Sequence, residues 1–275
     1  MASDEVLAGE YVFEPSGYDV PALGEVLPPL LDLTDAPVAV WDAAADDVDE
    51  AVAAAIAETE DAVALWRAFR WEAADTTGVT ARRVYVAEVG TAAALQTVEA
   101  AVLAAAADDT PVVECFATGT AAGPHAQAAL GRSALLWTKE QDGPVTVARV
   151  FDYVDPNAGP GWFTDHPTLD DDEAAAVARY LDGGSPVLVT TATTVDARDP
   201  AQGPVVPMSY RTDGRWVWID ALTYYVRAHG LAPEPQFLDH IYGSDFVPAA
   251  VSPADAHRAV AALLVPGGPS PGWGI

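Results

Sequence analysis

Short runs of alternating apolar and polar residues, separated by turn residues, share the chain with alanine-rich stretches whose first turns are acidic. The run at 37–42 (Pro-Val-Ala-Val-Trp-Asp) reads as a strand. The alanine-rich segment at 44–60 reads as a helix, opened by Asp46, Asp47, Asp49 and Glu50, whose carboxylates complement a helix N-terminus. Residues 61–71 have the alternation and aromatic content of a strand, and 81–89 alternate in the same way. Gly90-Thr91 then opens a helix to about 107, and 111–117 is a further strand. The order β, α, β, β, α, β matches the ferredoxin-like split arrangement, in which both helices cover one face of an antiparallel sheet.

Two more strands, 133–138 and 145–153, flank Gln141-Asp-Gly-Pro144, whose Asp-Gly step predicts a hairpin. The loop at 155–161, rich in Pro and Gly, is a plausible domain boundary. Beyond it, 168–173 opens a helix that closes at Gly183–Gly184, and 185–191 reads as a strand. Strands at 205–211 and 215–219 flank Thr212-Asp-Gly214, the strongest hairpin signal in the chain. A helix at 220–229 stops at Gly230, and further helices are predicted at 233–242 and 252–264, the last with Ser252 as cap and Pro253 at its first position. The predicted fold class is α+β: an N-terminal βαββαβ-like antiparallel sheet with helices on one face, then a C-terminal half of hairpin and helices. The predicted division is 1–154 and 155–275, the alternative being one continuous α+β domain.

Charge narrows the possible partners. Against 41 Asp plus Glu stand 13 Lys plus Arg, for a formal net charge of −28. Such a field repels phosphate backbones and anionic lipid surfaces, and the basic residues, 12 Arg and Lys139, form no patch to override it. General nucleic-acid and membrane-surface binding are therefore excluded as expectations. The chain is 51% hydrophobic with 8 Trp, so its acidity does not signal disorder. The N-terminus lacks the basic start and apolar core of a signal peptide, and no apolar run reaches the ~20 residues of a membrane span. A cytoplasmic location is expected.

Chemistry is sparsely marked. The sequence contains no phosphate loop, dinucleotide fingerprint, metalloprotease helix or nucleophile elbow. Cys115 stands alone, in an apolar run that suits a buried thiol. Among the histidines, His166 is the best catalytic candidate, sitting in a loop beside Asp165 and near aromatic residues; a simple turn explains it equally well. His229 suits a helix C-terminus, while His240 and His257 lie on helices without a same-face ligand partner. The carboxylate groups at 170–173 and at Asp196 and Asp199 read as solvated faces rather than cation sites. No metal and no cofactor is expected. The hairpin around Tyr210, Arg211, Asp213, Trp216 and Trp218 alternates aromatic and charged residues, which suits partner-binding anchors or, equally, a core under the next helix.

Residues 205–218 at this hairpin, with 224–230 and 237–241, resemble stretches of acidic, alanine-rich, uncharacterised actinobacterial proteins of the immunity-protein type. The resemblance covers about 40 residues and implies a protein that neutralises a toxin-like partner; it implies no catalytic residue. With the charge, it gives the leading expectation: a non-enzymatic, cytoplasmic protein that binds a basic partner through an acidic surface and aromatic anchors. The alternatives are a housekeeping protein of a salt-adapted organism, in which acidity serves solvation, and a small hydrolase using the Asp165/His166 loop.

Overall fold

The structure is a computed structural model that describes residues 11–16, 28–34, 45–72, 81–107, 109–140 and 143–265. It divides into two compact units, residues 1–142 and 143–275. The predicted strand at 37–42 and the C-terminal tail lie outside the described residues.

In the first unit, strands β1 (Tyr11–Glu14), β2 (Leu30–Asp32), β3 (Ala62–Glu72), β4 (Arg82–Val89), β5 (Val112–Ala117) and β6 (Ser133–Thr138) form one sheet. Its order is β2-β6-β3-β4-β5, with β1 also paired to β3. Helices α1 (Asp47–Ala57) and α2 (Leu95–Ala105) cover one face, where Val52, Ile56, Val98 and Val102 pack on Leu65, Tyr85 and Ala87. A short helix, α3 (Pro124–Leu130), is an addition to the predicted set; its His125 reaches Glu114, whose register partner Val86 lies on the face opposite Tyr85.

The α+β class and the order from α1 to β5 agree with the sequence, whereas β1 and β2 are strands the sequence pattern did not predict and the ferredoxin-like arrangement needs correction. In that arrangement the last strand does not pair with the strand before it, whereas β5 runs parallel and adjacent to β4. Residues 84–89 of β4 register directly with 112–117 of β5 across the α2 crossover, which leaves no place for the strand that the ferredoxin-like order sets between them. The sheet is therefore mixed.

The hairpin predicted at 141–144 also needs correction. β6 pairs with β2 and β3. The strand that follows, β7 (Thr146–Val147), pairs instead with β14 (Trp216–Ile219), because Val147 joins a core with Val217 and Ala259, and the N–H groups of Thr146 and Ala148 donate to the carbonyls of Arg215 and Val217. The Asp-Gly-Pro step thus separates the two units, a boundary earlier than the one predicted at 154/155. The loop at 155–161 is internal to the second unit, where β8 (Tyr153–Asp155) and β9 (Gly159–Gly161) form a small hairpin.

The rest of the second unit comprises α4 (Asp171–Gly183), β10 (Ser185–Leu188), β11 (Thr193–Val195), β12 (Pro204–Pro207), β13 (Tyr210–Thr212), α5 (Asp220–His229), α6 (Pro235–Gly243) and α7 (Pro253–Leu264). Its main sheet has the order β10-β13-β14-β7. The turn between β13 and β14 is the predicted hairpin, with Gly214 at φ +92, a left-handed conformation that glycine takes without strain. Residues 205–211 do not form one strand: β12 pairs with β11, and the chain breaks at Met208 before β13. Helix ends follow the sequence closely. Asp170 caps α4, Ser252 and Asp255 form a capping box on α7, and Gly230 ends α5 at φ +65. The core between sheet and helices is aromatic: Tyr180 and Trp218 stack with ring centroids 6.0 Å apart, and Phe237 lies 5.3 Å from Trp218.

Candidate functional site

The two units are built around buried carboxylates. In the first, Asp49 on α1 is fully buried and accepts hydrogen bonds from Arg67, from Arg83 Nη1 at 2.5 Å and from the Tyr85 hydroxyl at 2.7 Å. Asp46, the cap of α1, accepts from Arg83 Nη2 at 2.7 Å. Burial works to raise the Asp46 carboxyl, but Arg83, the Asp49 N–H and the charge of Arg67 outweigh it and hold the group below its ordinary range. Burial, together with the charge of Asp49 and its hydrogen bond, drives the Tyr85 hydroxyl far above the usual phenol range. This cluster ties a helix to a sheet.

In the second unit, three histidines each lie against an aspartate from a distant part of the chain. His240 Nε2 is 2.7 Å from Asp213 Oδ2, which also accepts from the Tyr180 hydroxyl; Asp213 Oδ1 accepts from the N–H groups of Arg215 and Trp216 at 2.9 and 2.7 Å. His229 Nε2 is 2.7 Å from Asp196 Oδ2, which accepts from Tyr224 at 2.9 Å. His166 Nδ1 is 2.9 Å from Asp152 Oδ2, and its Nε2 is 3.0 Å from the carbonyl of Ala232.

The sequence-predicted residues separate accordingly. Trp218 is fully buried and Asp213 only 4% exposed, so neither presents a surface to a partner; both belong to the core reading of the hairpin. Trp216 is half-buried and stacks on Phe237 at 4.8 Å. Tyr210 packs beside the core. Arg211 is spent on Asp220 at 2.8 Å and on the carbonyls of Asp182 and Gly184, both at 3.1 Å, where it closes the end of α4. Asp196, expected on a solvated face, is fully buried because His229, Tyr224 and the Arg198 N–H surround it. Asp165 is exposed and is not the partner of His166; that role falls to Asp152.

His166 and Asp165 do share a concave site, a groove of about 240 Å³ formed by segments 149–152, 163–167 and 232–235. A buried aromatic group supports it from below. Trp162 stands 4.7 Å from Phe151 and 4.6 Å from Tyr225 between ring centroids, and its indole N–H donates to the Val150 carbonyl at 2.9 Å. The three segments are cross-tied. Asp152 accepts from the Phe163 N–H at 2.8 Å as well as facing His166, and Glu234 accepts from the Arg149 N–H at 2.7 Å and from its guanidinium at 3.1 Å.

Both neighbours of the His166 ring are acceptors, so both contacts become hydrogen bonds only when each ring nitrogen carries a proton. A general base needs a free nitrogen within reach of a substrate proton, and here both nitrogens point at acceptors inside the protein. Cys115 offers no nucleophile either: burial, with Glu99 and Glu114 nearby, pushes its thiol up to about 12. Among the described residues, no group of His, Cys, Asp and Glu has the arrangement of a metal site, and no helix is long and apolar enough to cross a membrane.

Beside the groove the surface changes character. Phe163 is 58% exposed, Val154 56% and Tyr153 41%, with the Phe163 and Tyr153 rings 5.4 Å apart. Asp155 and Asp165, both exposed, flank them. Asp155 accepts from the Asn157 and Ala158 N–H groups, both at 2.8 Å, and so fixes the turn that holds Tyr153 and Val154 outward. The sequence marked 155–161 as a loop and boundary because Pro and Gly punctuate it; the apolar residues that border it, Tyr153 and Val154 on one side and Phe163 on the other, are what it leaves exposed.

No family model, no curated protein and no solved structure matches the chain.

Proposed function

We propose that the protein is a non-enzymatic, cytoplasmic binding protein that holds a basic protein partner, and that its immunity-type resemblance reflects neutralisation of such a partner. The observation that carries this reading is the exposed Tyr153–Phe163 pair with Val154, set between Asp155 and Asp165 in a chain of net charge −28. Aromatic residues left in water beside carboxylates combine contact area with a field that attracts cationic surfaces. The anchors proposed are therefore on the β8–β9 hairpin and at the second residue after it, rather than at Trp216 and Trp218. Catalysis at Asp165/His166 is the weaker reading, since His166 pairs with Asp152 rather than Asp165 and both imidazole nitrogens point at acceptors inside the protein.

The test is retention of proteins from a bacterial extract on the immobilised full chain, with Tyr153→Ser/Phe163→Ser as the matched control. Support requires retained proteins of basic isoelectric point that are held at about 50 mM salt, released by about 300 mM, and missing from the variant column. Retention that ignores salt, favours acidic proteins or survives the double substitution overturns the reading.

A further inference from the structure

We infer that the groove at His166 receives a single arginine or lysine side chain presented by the partner protein. This deepens the binding-protein reading and rests on it. The groove's volume of about 240 Å³ suits one side chain rather than a folded element. Its walls are apolar where a long aliphatic stem would lie: Phe151 and Phe163 with Pro167, Pro233 and Pro235. Its polar side chains are three carboxylates, Asp152, Asp165 and Glu234, and two bases, Arg149 and His166, each base set against one of the carboxylates. Asp152 faces His166 and Glu234 faces Arg149, whereas Asp165 is exposed and, among the described residues, has neither an ion pair nor a side-chain hydrogen bond. The site thus has one carboxylate left for an incoming cation.

The chain also shows how a guanidinium sits at this rim. Arg149 lies 57% exposed along the groove with its Nη2 3.1 Å from Glu234 Oε2, an internal example of the contact proposed for the partner. Phe163, two residues before Asp165, is 58% exposed and lies 5.4 Å from the exposed Tyr153 ring, so a cation that enters the groove beside Asp165 has an aromatic pair near it. The cross-ties of Asp152, His166 and Glu234 hold the three segments in place, so the groove exists before any partner arrives. Charge complementarity chooses the occupant: anionic or neutral side chains gain nothing from Asp165, and an acidic segment is repelled by the chain as a whole.

The experiment is an amide chemical-shift titration of the ¹⁵N-labelled full chain with three blocked pentapeptides, Gly-Gly-Arg-Gly-Gly and its Lys and Glu counterparts. The inference expects the Arg and Lys peptides to shift Phe163, Asp165, His166 and Glu234, with the Glu peptide inert. Asp165→Asn, an exposed change that leaves the fold intact, should weaken the Arg peptide by about threefold to fivefold, the scale of an exposed ion pair supported by an aromatic face. Shifts centred elsewhere, an equal response to the Glu peptide, or no loss in Asp165→Asn overturns the inference. The two proposals fail separately. Salt-sensitive retention of basic proteins without a peptide response removes the groove and leaves the wider reading. Peptide binding without retention removes the protein partner and keeps the groove's chemistry.

Discussion

His240 Nε2 meets Asp213 Oδ2 at 2.7 Å, joining α6 to the turn between β13 and β14 across 27 residues of sequence. The same carboxylate oxygen takes the Tyr180 hydroxyl from α4, and the other takes two backbone N–H groups of its own turn. One aspartate thereby locks two helices and a hairpin. Asp213→Ala strands all these donors in a site only 4% exposed and should cost about 3–5 kcal/mol. Tyr180→Phe, which removes one hydroxyl and leaves the carboxylate its other donors, should cost about 1 kcal/mol. Urea unfolding of both variants checks the ratio; equal costs would contradict the hub.

Gly184, at the end of α4, has a second role that its position in the sequence hides. A Cβ there would overlap Cζ2 and Cη2 of the fully buried Trp218. Gly184→Ala should destabilise the protein by about 1–3 kcal/mol through forced displacement of that ring. Phe163→Ala, by contrast, touches an exposed ring and should change stability by about 0.5 kcal/mol or less while weakening partner retention. Thermal denaturation read alongside the binding assay separates the two.

Acid sensitivity follows from Asp196. Burial pushes its carboxyl up, but His229, the Arg198 N–H, Tyr224 and the Asp199 N–H together hold it below the ordinary range. As pH falls, the unfolded chain takes up the proton first. The stabilisation is therefore whole above the unfolded value of about 3.9 and drains away as pH drops through the lower folded value. Asp46 contributes with the same sign. Melting temperature should fall from pH 6 to pH 3, and the fall should be shallower in Asp196→Asn, which starts less stable at neutral pH. An unchanged slope would show that Asp196 has no part in the transition.

Cys115 reports on the integrity of the first unit. With its thiol pushed up to about 12, the thiolate at pH 8 is about a thousandfold scarcer than for the same group at 9. A disulfide reagent should label the native protein slower than the urea-unfolded chain by about tenfold or more, since the greater nucleophilicity of a high-pKa thiolate offsets only part of its scarcity. Fast labelling in native buffer would mean that β5 opens readily.

Local features were legible in the sequence and distant partnerships were not. The capping box of Ser252 and Asp255, the stop at Gly230 and the turn at Gly214 depend on neighbours within a few residues, and each lies where the pattern placed it. β3 and β4 were visible because alternation over 61–71 and 81–89 needs no knowledge of a partner. The alternation of Trp216 and Trp218 was ambiguous for a physical reason: a strand at a partner interface and a strand under a helix carry the same pattern, and it takes Phe237 of α6 and Tyr180 of α4 to decide which applies. The Asp–His pairs were hidden because their members come from different elements, Asp152 from a loop, Asp196 from another and Asp213 from a turn. Much of the negative charge changes meaning as a result. Asp46, Asp170 and Asp255 cap helices, and Asp49, Asp196 and Asp213 are buried organisers, which leaves exposed carboxylates such as Asp155 and Asp165 to carry the proposed recognition.

β3 is bordered by β4 on one side, while on the other β6 pairs with residues 64–67 and β1 with residues 69–72. An eleven-residue strand that spends its backbone on both sides leaves almost no amide for water to reach one at a time. Its hydrogens can exchange with solvent only when the whole sheet comes apart, so β3 serves as the clock of global unfolding, while β2 and β5 at the two ends of the sheet order fray on their own schedules.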